Sequence, residues 1–158
     1  MRTLPLDVLA AAKAAYNQTG VLPSVQLAQW CLESAWGSRP TGKFNYFGVK
    51  AASDQPATLC WTHEVVNGKT VSVQASFRDY DSLQSAFLAH ARLLCSPRYA
   101  AGAPVKDNLP AFVHAIAPVY ATDPDYAAKI LDLIRIERFT QYDAPNPGAD
   151  LTRKALEA

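Results

Sequence analysis

A single acid, Glu33, sits near the end of an apolar helical stretch. Trp36 and Gly37 follow at once, then a Ser/Pro/Thr/Gly loop, then the aromatic cluster Phe44, Tyr46 and Phe47. A carboxyl in such surroundings loses hydration, and because the charged form suffers most its pKa is expected to rise. A raised pKa makes a carboxyl usable as a general acid near neutral pH, as in glycoside hydrolysis. The competing reading of Glu33 is an ordinary solvated or salt-bridged helix residue. Glu64 is the second candidate. Its plain reading is a solvent-facing strand residue near a hairpin tip, yet a hairpin that follows the acid-bearing helix and loop can deliver a carboxylate from the opposite wall of a cleft. Glycosidases need two groups, an acid on the leaving oxygen and a base or an oxocarbenium stabiliser.

Around these carboxyls lie aromatics able to stack on sugar rings: Trp36, Tyr46, Phe47, Trp61 and Tyr120. Each could equally be core, and core is the expectation for Trp30 and Phe87. His63, His90 and His114 lack metal-ligand spacing with each other or with cysteine, so no metal or other cofactor is expected. No GxSxG, P-loop or dinucleotide fingerprint is present. Cys31, Cys60 and Cys95 form no CxxC pair and lie in apolar contexts, which suggests buried free thiols, with one disulfide open if the protein enters an oxidising space.

The elements that must position these groups can be read from periodicity. Residues 4–19 form an amphipathic helix stopped by Gly20, and because Asp7 and Lys13 interrupt its apolar segment it reads as part of the fold rather than a cleaved signal. A second, buried helix spans about 24–36, capped by Ser24 and stopped by Gly37, with Gln26, Gln29 and Glu33 in one stripe. Residues 38–57 read as a loop. Asn67-Gly68 joins two alternating segments and predicts a two-residue hairpin that pairs Val66 with Lys69, Glu64 with Val71 and Thr62 with Val73. In that register Cys60, Thr62, Glu64 and Val66 share one face, and Trp61, His63 and Val65 the other. Asp81 or Ser82 caps a third helix through Leu94, a fourth spans about 108–117 and stops before Pro118, and Asp123 caps a fifth that runs to about Arg138. From Thr140 onward the composition reads as a tail. The expected architecture is α+β, mostly α, with one β-hairpin inserted between helices.

Composition sets wider bounds. The chain has 158 residues, 49% of them hydrophobic, which fits one domain with its own core. The net charge of +1 offers no electrostatic case for nucleic acid or an anionic membrane. No apolar run is long enough to span a bilayer.

The segment LPSVQLAQWCLESAWGS, followed by NYFGVK, resembles the signature of bacterial glucosaminidases, the type found in flagellar rod-cap muramidase domains and many autolysins. Thr62 and Glu64 on the hairpin, Phe77 and Tyr80, and the stretch YATDPDYAAKI from Tyr120 to Ile130 match further motifs in the same order. The resemblance covers about residues 4–137 and implies a lysozyme-like fold that cleaves peptidoglycan at the β-1,4 link after N-acetylglucosamine. It implies Glu33 as general acid, Glu64 as the hairpin-borne carboxylate and Tyr120 as a cleft-lining tyrosine near the cleavage point. Phe47 and Gly48 match the loop that shapes the floor, and Trp36, Tyr46, Trp61 and Thr62 complete the expected glycan-binding set. The catalytic domain is expected over 1–139 and the tail over 140–158. Trp30, Cys31 and Tyr46 depart from the usual pattern, which bears on subsite shape. A lytic transglycosylase and a non-catalytic wall-binding module are the alternatives. Without a signal or wall-binding repeats in the sequence, the expected settings are an antibacterial effector acting in a target cell's periplasm, paired with an immunity protein that plugs the cleft, or a phage lysin.

Overall fold

Leu6–Thr19 form α1, whose small residues Ala11, Ala12 and Ala15 are buried with Val8 and let it lie close against its neighbours. Gly20 ends it in the left-handed conformation (φ +71°) and returns its N–H to the Tyr16 carbonyl, the arrangement a glycine supplies at least cost. The structure is a computed structural model that describes residues 2–66 and 68–144, and the side chains of 63–66 lie outside that description. α2 runs Pro23–Glu33, β1 Ala57–Val66, β2 Lys69–Arg78, α3 Leu83–Leu94, α4 Leu109–Tyr120 and α5 Tyr126–Glu137, with 3-10 stretches at Pro97–Val105 and Phe139–Tyr142.

The fold is the expected one: a mostly helical α+β body with one antiparallel hairpin between α2 and α3. α2 is the central helix. Val25, Leu27, Ala28, Trp30 and Cys31 are all buried, as are Gln26 and Gln29. α1 packs on α2 and α3, while α5 and the Phe139–Tyr142 turn cover the other side of α2. The core joins Phe87 and Leu94 of α3, Phe112 and Ile116 of α4, Ile130 and Ile134 of α5, and Phe139. Among the described residues, no helix is long and apolar enough to cross a membrane.

The hairpin register is the one predicted, Val66 with Lys69, Glu64 with Val71 and Thr62 with Val73. Gly68 has φ +75°, as a type I′ turn demands, while Asn67 lies outside the described residues. Ser82 caps α3 through a reciprocal pair, accepting from the Ser85 amide while the Ser85 hydroxyl accepts from the Ser82 amide.

Four expectations about helix ends are corrected. Ser24 does not cap α2. Pro23 already occupies the first turn, where its missing N–H costs nothing, and the Ser24 amide donates instead to the Asp143 carboxylate at 2.8 Å. α2 stops at Glu33, short of Gly37. α4 continues through Pro118 to Tyr120; Pro118 and His114, whose carbonyl it cannot serve, are both exposed, so water can take the freed acceptor. α5 begins at Tyr126, because Asp123 folds a tight turn of its own onto the Asp125 amide at 2.9 Å. The Phe139–Tyr142 turn and Asp143 pack on the body, so structure extends past the expected start of the tail; residues 145–158 lie outside the described residues. The cysteines are free. Cys31 is buried, with burial pushing its thiol up to about 12, but Cys60 is half-buried and Cys95 exposed rather than buried.

Candidate active site

Glu33 is the last residue of α2, and the turn after it decides where its side chain emerges. Ala35, Trp36 and Gly37 adopt φ of +48°, +62° and +78° in succession, which swings the chain away from the helix axis. The helix end stays satisfied. The Ser34 hydroxyl donates to the Trp30 carbonyl and accepts the Gly37 amide at 2.7 Å, and the Trp36 amide reaches the Cys31 carbonyl at 2.9 Å. A side chain at position 37 would place its Cβ 2.5 Å from Trp30 Cζ2, so the bulky Trp30 leaves room only for glycine there.

The Glu33 carboxyl is reachable from solvent, yet it has protein packed around most of it, and this loss of hydration raises its pKa above the ordinary value. A hydrogen bond from Tyr126 Oη to Glu33 Oε1, 2.7 Å long, works in the opposite direction. Tyr126, at the start of α5, is 4% exposed, and its own phenol is pushed up by burial and by the carboxyl beside it. Gln29, one turn before Glu33, donates from Nε2 to Tyr126 Oη at 3.2 Å. Tyr126 falls inside the motif that runs from Tyr120 to Ile130, but the stripe of Gln26, Gln29 and Glu33 is the one sequence signal of what it meets.

Tyr120, at the end of α4, is placed beside this pair. Its ring stacks on Tyr126 with centroids 5.4 Å apart, and its hydroxyl donates to the Phe47 carbonyl at 3.3 Å. Burial raises the Tyr120 pKa well above the usual phenol value, with Tyr126 and Glu33 adding to the effect. Both tyrosines are therefore neutral hydrogen-bond donors near neutral pH.

The loop carrying Tyr46, Phe47 and Gly48 is pinned by Asn45. Its buried amide donates to the carbonyls of Val49 and Arg78 at 2.9 and 2.8 Å and accepts the Val49 amide at 3.1 Å. Asn45 belongs to the recognised loop motif, but its role as the tie between loop and β2 needed the structure. Phe47 does not present its ring to a sugar. The ring lies in the core, stacked 3.9 Å from His90 and edge-on to Phe87, and only its carbonyl serves the site. Tyr46 is half-buried against Trp30, and Gly48 is exposed with φ +64° and open space around it, so it is needed for its backbone conformation. Trp30 and Phe87 are core residues, as expected.

Trp36 is half-buried between Phe139 and the Arg2 guanidinium, which lies 4.8 Å from its ring centre. The Arg2 amide is itself held by Glu137 Oε2 at 2.7 Å. Trp61 is 70% exposed and stands with Leu59 on one face of β1, whereas Thr62 is half-buried on the other. Trp61 and Thr62 are thus not brought together. Position 64 lies opposite Val71 in the hairpin. Two concavities, of about 420 and 400 Å³, lie elsewhere: one between α4 and α5 by Pro118 and Pro124, the other by Tyr80 and Arg92. Neither includes Glu33. Among the described residues, no three His, Cys, Asp or Glu side chains gather as a metal would require.

The glucosaminidase family profile, described as mannosyl-glycoprotein endo-beta-N-acetylglucosaminidase, matches residues 9–138. An autolysin of Enterococcus faecalis is 33% identical over 138 residues, covering 80% of this chain and 19% of the autolysin. The peptidoglycan hydrolase FlgJ of Salmonella typhimurium is 38% identical over 133 residues, covering 78% of this chain and 42% of FlgJ. The chain thus spans less than half the length of either relative. In three dimensions it is similar to a peptidoglycan hydrolase mutant from Sphingomonas sp. A1, with TM-score 0.73, 33% identity and coverage of 86% of this chain and 94% of that one. A profile match over most of the chain, a shared fold and an acid set at the end of the central helix place this protein in the glucosaminidase family of glycoside hydrolases.

Proposed function

We propose that the chain is a peptidoglycan hydrolase, an endo-β-N-acetylglucosaminidase that cleaves the β-1,4 bond after N-acetylglucosamine. The observation that carries this reading is the Glu33 carboxyl, desolvated enough to raise its pKa and met by a neutral phenol rather than a cation. A carboxyl so placed keeps its proton to higher pH than an ordinary glutamate and can release it to a glycosidic oxygen. Glu64, carried on β1, either activates water on the opposite face of the sugar or steadies the substrate's own N-acetyl group as it attacks. Tyr120 lines the cleft beside the acid, and Trp36, Tyr46, Gly48, Trp61 and Thr62 contact the glycan, with Phe47 supporting the floor from beneath. The names of the relatives, an autolysin and peptidoglycan hydrolases, support the choice of polymer.

The test is hydrolysis of purified peptidoglycan by Glu33→Gln. The variant should fold normally and lose activity by about 10²-fold or more, the usual scale for a general acid. Near-normal turnover would overturn the assignment. Glu64→Gln should also be impaired, and full activity there would remove Glu64 from the mechanism. Mass spectrometry of the digest separates the chemistries: reducing N-acetylglucosamine ends are expected, and 1,6-anhydro-muramic ends would indicate a lytic transglycosylase. As a setting we propose delivery to a target cell's wall, as an antibacterial effector or a phage lysin. An immunity protein, in the effector case, would plug the cleft at Glu33. Lysis of cells that express the chain in the periplasm but not in the cytoplasm is the expected result, and survival in both would refute that setting.

A further inference from the structure

Three groups from two helices form one hydrogen-bonded chain into the acid. Gln29 Nε2 donates to Tyr126 Oη at 3.2 Å, and Tyr126 Oη donates to Glu33 Oε1 at 2.7 Å. Gln29 is fully buried and Tyr126 nearly so, which holds both against exchange with solvent. A phenol has a single proton. With the Gln29 amide donating to the phenolic oxygen, that proton has one remaining use, and it points at Glu33. Glu33 Oε1 is then an acceptor in either protonation state of the acid. We propose that Gln29 and Tyr126 are positioning residues for the acid: the amide-to-phenol-to-carboxyl chain commits Oε1 as acceptor, so that Glu33 carries the proton it donates on Oε2. The proposal rests on the reading of Glu33 as general acid.

The arrangement has a consequence for each half of the step. Before proton transfer, it removes the conformer in which the acid's proton is turned inward and spent on Tyr126. During transfer, the Oε2 proton passes to the leaving oxygen as the glycosidic carbon–oxygen bond breaks. The carboxylate left behind meets a donor already in place, and the bond from Tyr126 becomes charge-assisted. Among the described residues, the titratable groups set against Glu33 are Tyr126 of α5 and Tyr120 of α4, with His90 of α3 behind Tyr120. All three are neutral near pH 7, so the Tyr126 hydroxyl is what counters desolvation at Glu33.

Tyr126→Phe keeps the ring that stacks on Tyr120 and removes only the hydroxyl. On a defined soluble glycan fragment, kcat should fall about 10-fold with KM nearly unchanged, because the contact acts on the reacting group and not on the sugar. The basic limb of the kcat–pH profile should move up by about one unit, since desolvation alone then sets the Glu33 pKa. Carbon NMR titration of the Glu33 carboxyl, identified by its loss in Glu33→Gln, should move the same way. Gln29→Met, similar in length but without a donor, should shift both readouts in the same direction by less. A folded Tyr126→Phe whose Glu33 titration stays put overturns the inference, while Glu33→Gln remains inactive. A titration that moves while the kcat limb does not overturns the acid role of Glu33, and this inference with it. If Tyr126→Phe does not fold, an unmoved Glu33 titration in Gln29→Met overturns the inference instead.

Discussion

Replacing His90 with phenylalanine should make the protein resist acid better than the wild type. His90 is fully buried on α3, stacked on Phe47 and edge-on to Tyr120, and neither ring nitrogen has a hydrogen-bond partner among the described residues. Burial pushes its pKa down from 6.5 to about 3, so the folded protein binds fewer protons at this site than the unfolded chain. The sign follows. Above pH 6.5 the site has no effect, and as pH falls below 6.5 stability is lost steadily until about pH 3, where the folded form can also be protonated. Relative to pH 7, that single imidazole costs about 2 kcal/mol at pH 5 and about 3 kcal/mol at pH 4. Phenylalanine removes the titration and the unpaired nitrogens but adds volume, and that packing change is the same at every pH. The difference in unfolding free energy between variant and wild type, measured by urea titration at several pH values, should therefore grow by about 3 kcal/mol from pH 7 to pH 4, or roughly 6–12 °C in Tm for a chain of this size. Glu33 and Asp143, whose raised pKa values favour the folded state as pH falls, are present in both proteins and cancel. Parallel acid losses in the two proteins would refute the account and show that His90 is protonated without penalty.

Gly37→Ala should destabilise by at least about 2 kcal/mol, from strain at φ +78° plus a Cβ only 2.5 Å from the Trp30 ring; chemical denaturation measures it, and a loss below about 0.5 kcal/mol would mean that the ring simply moves aside. Because the same turn follows Glu33 directly, peptidoglycan hydrolysis by that variant should fall as well. Trp61→Ala, at an exposed position, should change stability by no more than about 0.5 kcal/mol. Its KM for long glycan strands should rise about 5-fold with kcat unchanged if the indole stacks on a sugar, and an unchanged KM would remove Trp61 from the binding surface.

Features set by near neighbours in the chain were legible before the structure. The hairpin register followed from Asn67-Gly68 and from alternation on either side, and the buried character of α2 followed from its run of apolar residues. Glu33 stood out for the same reason, as the acid such a run leaves exposed. What escaped was set across the fold. Asp143 serves the first turn of α2 from 119 residues away, so the adjacent Ser24 looked like the cap. Tyr126 is 93 residues from Glu33 and sits at a spacing that reads as ordinary core. Phe47 reads from the sequence equally as a sugar platform or as core, because an aromatic in a loop after an acid gives no hint that His90 and Phe87 lie behind it. The 3-10 stretch Pro97–Val105, rich in Ala, Gly and Pro, carries no periodic pattern at all.

The packed rings form a line from the core to the acid, from the buried Phe87 through Phe47, His90, the half-buried Tyr120 and the buried Tyr126 to Glu33. Every ring in it is uncharged near neutral pH, and His90 is the only one that an acid environment could charge. This uniform neutrality has a chemical use. A lysine or arginine packed behind Tyr120 would hold Glu33 ionised and leave it no proton to donate, and a second buried carboxylate would raise its pKa so far that the proton would not be released. A wall of neutral rings does neither. It removes water from one side of the carboxyl, which raises the pKa, and offers one phenol hydrogen bond, which limits the rise. The depressed pKa of His90 belongs to the same design, because an imidazole that remains neutral well below pH 7 cannot bring a positive charge toward the acid at any pH where glycan cleavage is expected. The acid-side stability lost at His90 and the upward shift at Glu33 thus have the same physical cause, the loss of hydration by burial.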